Sequence, residues 1–200
     1  MSPDPRPDGP EPGAPGDEVR PTSPGVPDPV PEPVAAGRVV IVGMMGSGKT
    51  TLGRALAGRL QLPLLDSDAE IERQRGVTGA EIAAREGVEA LHSLERSVLL
   101  RALSELSPLV LTAAASVVTD AECRRAMASA TVIWLDAPVD ALAARVARGA
   151  HRRPIDVEAA AGLALERREA FVEVADLRLD ALRPPGQLVD AALAHLATDR

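Results

Sequence analysis

Residues Gly43 to Thr50 read Gly-Met-Met-Gly-Ser-Gly-Lys-Thr, which fills every fixed position of the phosphate-cradling pattern G-x-x-x-x-G-K-[ST]. Before it, Arg38-Val39-Val40-Ile41-Val42 is a short β-branched run that reads as a buried strand, and after it Thr51 to Leu60 has helical periodicity. Strand, glycine loop and helix follow one another, which is the context the pattern requires. A triphosphate carries several negative charges, and glycines let successive backbone N–H groups converge on its oxygens with no Cβ in the way. The positive end of the following helix then faces the phosphates. Lys49 would set a mobile charge on the β and γ phosphates, and the Thr50 hydroxyl would become a ligand of the bridging Mg²⁺.

The chain has 200 residues, a net charge of −7 and 46% hydrophobic content, enough for one domain with a sizeable core and too little for two of ordinary size. Residues 1–37 stand apart: twelve prolines from Pro3 to Pro33 lie among acids and glycines with hardly a large apolar side chain to bury. This leader is expected to be a disordered, partly polyproline-like tail, leaving residues 38–200 as the folded domain. It has neither the basic start and apolar stretch of a secretory signal nor an Arg-rich amphipathic helix, and no apolar run approaches the roughly 20 residues of a membrane span. The single cysteine, Cys123, has no internal disulfide partner, so a cytoplasmic setting is expected, with Cys123 a small packed side chain on a helix. Acidic balance and only two aromatic residues, Trp134 and Phe171, point away from nucleic acid. The expected state is a monomer acting on a small molecule.

From Arg38 onward, five strand candidates, Val39–Val42, Leu62–Leu65, Leu109–Thr112, Thr131–Leu135 and Leu177–Leu179, alternate with helical stretches. That alternation predicts a three-layer α/β sandwich with a parallel sheet between helices. Thr78-Gly79-Ala80-Glu81 has the form of a capping box, and Val88 to Leu106 has helical apolar spacing. Ligands of open α/β sheets collect at the carboxyl ends of strands. After the second strand come Asp66-Ser67-Asp68: Asp66 would hold a water of the Mg²⁺ shell, and Asp68 would accept the proton of an attacking hydroxyl. The competing reading of this stretch is a helix N-cap, because Ala69 to Arg75 looks helical.

The order of glycine loop, Leu64-Leu65-Asp66-Ser67-Asp68, an acidic helix and a later Arg-Pro segment resembles the shikimate kinase family over roughly residues 38–198. The resemblance implies a five-stranded parallel sheet of the P-loop kinase type, ATP and Mg²⁺, and transfer to the 3-hydroxyl of shikimate, a step of aromatic amino acid biosynthesis. Matched by position, Gly46, Ser47, Gly48, Lys49, Thr50 and Thr51 would wrap the phosphates, with Thr50 on the metal and Asp66 reaching it through water. Asp68 would touch the acceptor hydroxyls, Arg153 would meet the transferring phosphate from a lid, and Arg145 and Arg183 would flank adenine. Arg167 would grip the substrate carboxylate. Arg145, Arg148, Arg152 and Arg153 form a basic cluster in an acidic chain, suited to neutralising phosphoryl charge, or else forming a solvated helix face that runs into a loop.

Departures fall on the acceptor side. Leu91-His92 stands where the family shows Phe-Arg, so an imidazole replaces a guanidinium as a substrate-binding group. Losing one charge-assisted hydrogen bond costs about 1.5–3 kcal/mol, roughly ten- to a hundredfold in affinity. Ala114, Ala115 and Ser116 stand where the family has three glycines, and each added Cβ is expected to shrink the pocket or move the loop. Glu169-Ala170-Phe171 follows Arg167 in place of Pro-Leu-Tyr. Two other functions remain open: a kinase of another small hydroxylated metabolite, and a nucleotide-binding protein without significant turnover.

Overall fold

Val39 to Val42 send apolar side chains to alternate faces of a strand, so both faces need cover. In the computed structural model, which describes residues 37–105, 107–147 and 157–198, they lie in β1 (Arg38–Gly43) at the centre of a five-stranded sheet ordered β2-β3-β1-β4-β5. The flanking strands are β2 (Leu64–Asp66), β3 (Leu109–Thr112), β4 (Thr131–Asp136) and β5 (Leu177–Asp180), and every pairing is parallel. The expected parallel sheet is therefore present, and all its carboxyl ends open on one edge. Val40 pairs with Leu111 of β3 and Val132 of β4, which carries the glycine loop to that edge between two fully paired neighbours.

Val39 and Ile41 pack on one side with Leu52, Leu56 and Leu60 of α1 (Lys49–Leu60) and Leu188 and Ala192 of α8 (Pro185–Thr198). Val40 and Val42 pack on the other with Leu99 and Leu103 of α4 (Val88–Ser104), Met127 of α5 (Ala121–Met127) and Phe171 of α7 (Val157–Val174). Each fully buried Val or Ile contributes about 1.5–3 kcal/mol, so a charge at Val40 would break the sheet. A third cluster, Ile71, Ile82 and Val98, joins α2 (Ser67–Arg75) and α3 (Gly79–Glu86) to α4. The capping box at Thr78 and Glu81 is formed in both directions. The helix α6 (Val139–Ala147) follows β4.

The second strand starts later than its apolar run. Leu62 N–H closes on Ala57 O at the end of α1, which stops at Gln61 with φ +56°, and Pro63 has no N–H to give a ladder. Pairing begins at Leu64, although Pro63 O still accepts from Val110 N–H at 2.9 Å. The proline-rich leader through residue 36 lies outside the described residues, as do Leu106, Arg148, Arg152 and Arg153.

Candidate phosphoryl-transfer site

The glycine loop turns from β1 into α1 through Gly46 (φ +83°) and Gly48 (φ +97°), a backbone region that L side chains rarely adopt. At Gly46 space also forbids a side chain, because a Cβ would stand 2.9 Å from Val146 Cγ2 and 3.0 Å from Leu142 O of α6. Gly48 gives α1 no side-chain cap, and its first turn holds Lys49 and no acid. That is the reverse of α2, α3 and α5, where Asp66, Thr78 and Asp120 cap and acids fill the first turn. An uncapped helix start with a lysine in it suits an anion, since its N–H groups and dipole remain for a ligand. Ser47 points the same way. Its hydroxyl belongs to a residue only 1% exposed and has no hydrogen-bond partner among the described residues, a cost that a phosphate oxygen would remove.

Lys49 Nζ donates to Gly43 O at 2.9 Å and Met44 O at 3.3 Å, which folds the ammonium back over the loop. Across the sheet edge, Thr50 Oγ1 donates to Asp66 Oδ2 at 2.8 Å. Asp66 is also the N-cap of α2: its Oδ1 accepts from the N–H groups of Asp68 and Ala69. The N-cap reading of this acid is met by Oδ1, which leaves Oδ2 to the Thr50 hydroxyl. A hydroxyl paired with a carboxylate beside an anion site suits Mg²⁺, which takes few protein ligands and keeps water and phosphate oxygens. The loop and this pair fit a Mg²⁺-bound triphosphate.

A cavity of about 300 Å³ opens from the loop between α1 and the start of α8. Gly46, Ser47, Gly48, Thr51, Arg145 and Arg183 line it, with Leu188 and Val189 as its apolar wall. Residues expected to wrap phosphate and to flank a base thus share one space. Arg153 lies outside the described residues, so its expected lid contact has no structural counterpart here.

On the other side of Lys49, Asp68 at the start of α2 is exposed and His92 in α4 is half-buried. Arg167 of α7 is half-buried and makes no ion pair within 4 Å among the described residues. Burial holds its guanidinium below the usual arginine range, opposed by the nearby acids Glu95 and Glu166. Sequence reasoning missed Glu95, one helical turn after His92, and this spacing was the available signal. Glu95 is only 8% exposed, and burial pushes its carboxyl above the usual range, opposed by the Ser116 hydroxyl that donates to Glu95 Oε2 and by His92 and Arg167. Asp68 pushes in the same direction as burial. Asp68, His92 and Arg167 thus all lie near enough to act on the Glu95 carboxyl. At Ala114, Ala115 and Ser116, where added Cβ atoms were expected to shrink the pocket or move the loop, the backbone needs no positive φ: among the described residues Gln61 alone has it without being glycine, and Ala113 and Val117 pack into the core around Val40. The turn enters a short 3-10 helix, Ala115–Thr119, which needs no left-handed residue.

The family model for shikimate kinase matches residues 45–197. The chain belongs to the shikimate kinase family. The shikimate kinase of Brucella abortus (strain 2308) is 43% identical over 115 residues, a stretch that is 57% of this chain and 57% of that protein. This chain thus spans little more than half the length of the Brucella relatives it matches. The shikimate kinase of Zymomonas mobilis is 35% identical over 163 residues, covering 79% of this chain and 92% of that protein. Among solved structures, shikimate kinase from Acinetobacter baumannii in complex with shikimate superposes with TM-score 0.76 at 28% identity, covering 86% of this chain and 99% of that one. Against the family pattern quoted above, the glycine loop keeps its residues, while His92 and Ser116 depart from it, and Ser116 donates to Glu95.

A larger cavity of about 840 Å³ lies beyond Met44, between α6 and α7. Its wall holds the stacked pair Trp134 and Phe171, with ring centroids 5.3 Å apart, and the guanidinium of Arg178, 5.0 Å from the indole centroid. Among the described residues, none of the expected site residues lines it. Met44 of the glycine loop does, as does Leu142, whose carbonyl stands against Gly46.

Proposed function

We propose that this chain transfers the γ-phosphoryl group of Mg·ATP to the 3-hydroxyl of shikimate, in the cytoplasm. The observation that carries the reading is a chain of neighbours from the uncapped, lysine-bearing helix start to Arg167: Thr50 bonds to Asp66, Asp66 holds the Asp68 N–H, and Asp68 and Arg167 both act on the Glu95 carboxyl. One end suits a triphosphate and the other a carboxylate. Asp68 lies at the strand end between them. The shikimate named with the Acinetobacter baumannii enzyme supports the same acceptor here. A buried cysteine and the lack of a helix long and apolar enough to cross a membrane, among the described residues, are compatible with the cytoplasmic setting.

In this reading the loop N–H groups, Ser47 and Lys49 hold the β and γ phosphates, and Thr50 and Asp66 would hold Mg²⁺, which when bound would supply neutralisation of phosphate charge. Arg145 and Arg183 bracket the base. Arg167 orients the acceptor through its carboxylate, and Asp68 accepts the proton of the attacking hydroxyl as the oxygen–phosphorus bond forms and the bond to the ADP oxygen breaks. Arg153 meets the charge that develops on the transferring group.

The test is ADP release from Mg·ATP with shikimate and, in parallel, with a panel of small hydroxy acids and polyols. ADP formation with shikimate is expected, and none above the buffer rate removes that acceptor. His92 and the Ser116–Glu95 pair favour a second reading, a kinase of another small hydroxylated carboxylate, which turnover with a different member of the panel would establish. ATP binding by thermal shift with no turnover on any acceptor would leave a nucleotide-binding protein. Asp68→Asn is expected to lower kcat far more than it weakens ATP binding; equal loss of both would move Asp68 off the acceptor.

A further inference from the structure

A buried carboxyl, Glu95 of α4, and a half-buried guanidinium, Arg167 of α7, lie near each other and interact through space, with no ion pair within 4 Å between them among the described residues. Loss of water strengthens attraction between such groups, so a carboxylate free to turn would be drawn to the guanidinium. The contact that Glu95 makes instead is with Ser116, whose hydroxyl donates to Glu95 Oε2 from the 3-10 helix after β3. Ser116 is itself only 8% exposed, and its backbone carbonyl accepts from Thr119 Oγ1 at 2.7 Å, which ties the turn that presents the hydroxyl. Asp68 from α2, His92 from α4 and Glu166 from α7 complete the titratable groups facing this pair.

We propose that Ser116 is a positioning residue for the acceptor, its hydroxyl holding the Glu95 carboxylate off Arg167 so that the guanidinium stays available to a carboxylate on the incoming substrate. The proposal rests on the kinase reading above and deepens it. An alanine or glycine at position 116 has no such donor. Glu95 then turns to Arg167, neutralises it, and competes with the carboxylate of the acceptor for the same N–H groups. The competition is lost when Glu95 takes up a proton, because a neutral carboxyl has little hold on a guanidinium. Burial already raises its affinity for that proton.

The experiment measures steady-state kinetics of Ser116→Ala, Ser116→Gly, Glu95→Gln and the double variant Ser116→Ala/Glu95→Gln between pH 6 and 8, using the acceptor that the wild-type chain turns over. Ser116→Ala and Ser116→Gly are expected to raise the acceptor KM about tenfold while kcat and the ATP KM stay within about twofold. With glutamine at position 95 the serine change should add nothing, since it acts only through that side chain. An equal penalty in the glutamine background or a matching rise in the ATP KM overturns the proposal. If the wild-type chain phosphorylates nothing in the panel, the kinase reading fails by itself. The clamp is then read by a carbon-13 titration of the Glu95 carboxyl, whose pKa must fall in Ser116→Ala or Ser116→Gly as the carboxylate pairs with Arg167; an unchanged or raised pKa overturns it.

Discussion

The Thr50 hydroxyl donates to Asp66 Oδ2 at 2.8 Å, while Oδ1 of the same carboxylate accepts from the backbone N–H groups of Asp68 and Ala69 at 3.2 and 3.3 Å. One side chain thereby links the start of α1, the end of β2 and the start of α2. The metal-facing hydroxyl and the acid proposed to take the acceptor proton are held in register by it.

Two substitutions at that carboxylate separate its roles. Asp66→Ala removes the cap and should cost about 1 kcal/mol, a fall in Tm of about 2–4 °C, together with most of the activity. Asp66→Asn keeps a capping oxygen, so its Tm should stay close to that of the wild type while turnover falls about ten- to a hundredfold. Differential scanning calorimetry and the ADP-release assay read the two effects independently.

Lys49→Ala should leave the far-UV circular dichroism spectrum unchanged and lower kcat at least about a hundredfold. Lys49 Nζ donates to the loop carbonyls of Gly43 and Met44, and Lys49 is not one of the residues of the two cores on the sheet faces.

His92→Arg returns a guanidinium to the acceptor pocket beside Arg167. The acceptor KM should fall about tenfold if its carboxylate reaches position 92, with the ATP KM unchanged. An unchanged acceptor KM would mean that the carboxylate binds at Arg167 alone.

Glu70 joins α2 to α4. It accepts from Arg73 at 2.8 Å, from Gln74 at 2.6 Å and from Arg101 of α4 at 2.7 Å. The hydrogen bonds from Arg73 and then Gln74 hold its carboxyl down at about 2, against an ordinary 4.5. A depressed carboxyl adds stability above its unfolded pKa and loses it as pH falls through the folded value. Glu70→Gln should therefore lower Tm by a few degrees at pH 7, a difference that fades between about pH 4.5 and pH 2. Thermal melts of both proteins across that range test it.

Cys123 in α5 is completely buried. Burial, followed by the Asp120 carboxylate, pushes its thiol up to about 12. Iodoacetamide at pH 8 should leave the native protein unmodified and alkylate it once denaturant is added, because the thiolate is the nucleophile. Mass spectrometry reads the adduct.

Local sequence determined a good deal. Gly43 to Thr50 specified a loop whose left-handed glycines and uncapped helix start follow from residue type alone, and the apolar runs located all five strands. Where a run misled, as at Leu62 and Pro63, the correction was also local, since proline has no ladder donor and the helix end claimed Leu62. Tertiary structure alone decided the acceptor side. Glu95, Ser116 and Arg167 come from α4, the turn after β3 and α7, and neither periodicity nor motif spacing states that Ser116 bonds to Glu95 or that Glu95 and Arg167 act on each other. Burial sets the charge of such groups, and burial is a property of the packed chain. The glycine loop binds mainly through its own backbone, which is why it was legible, whereas the substrate pocket is an agreement among side chains distant in sequence.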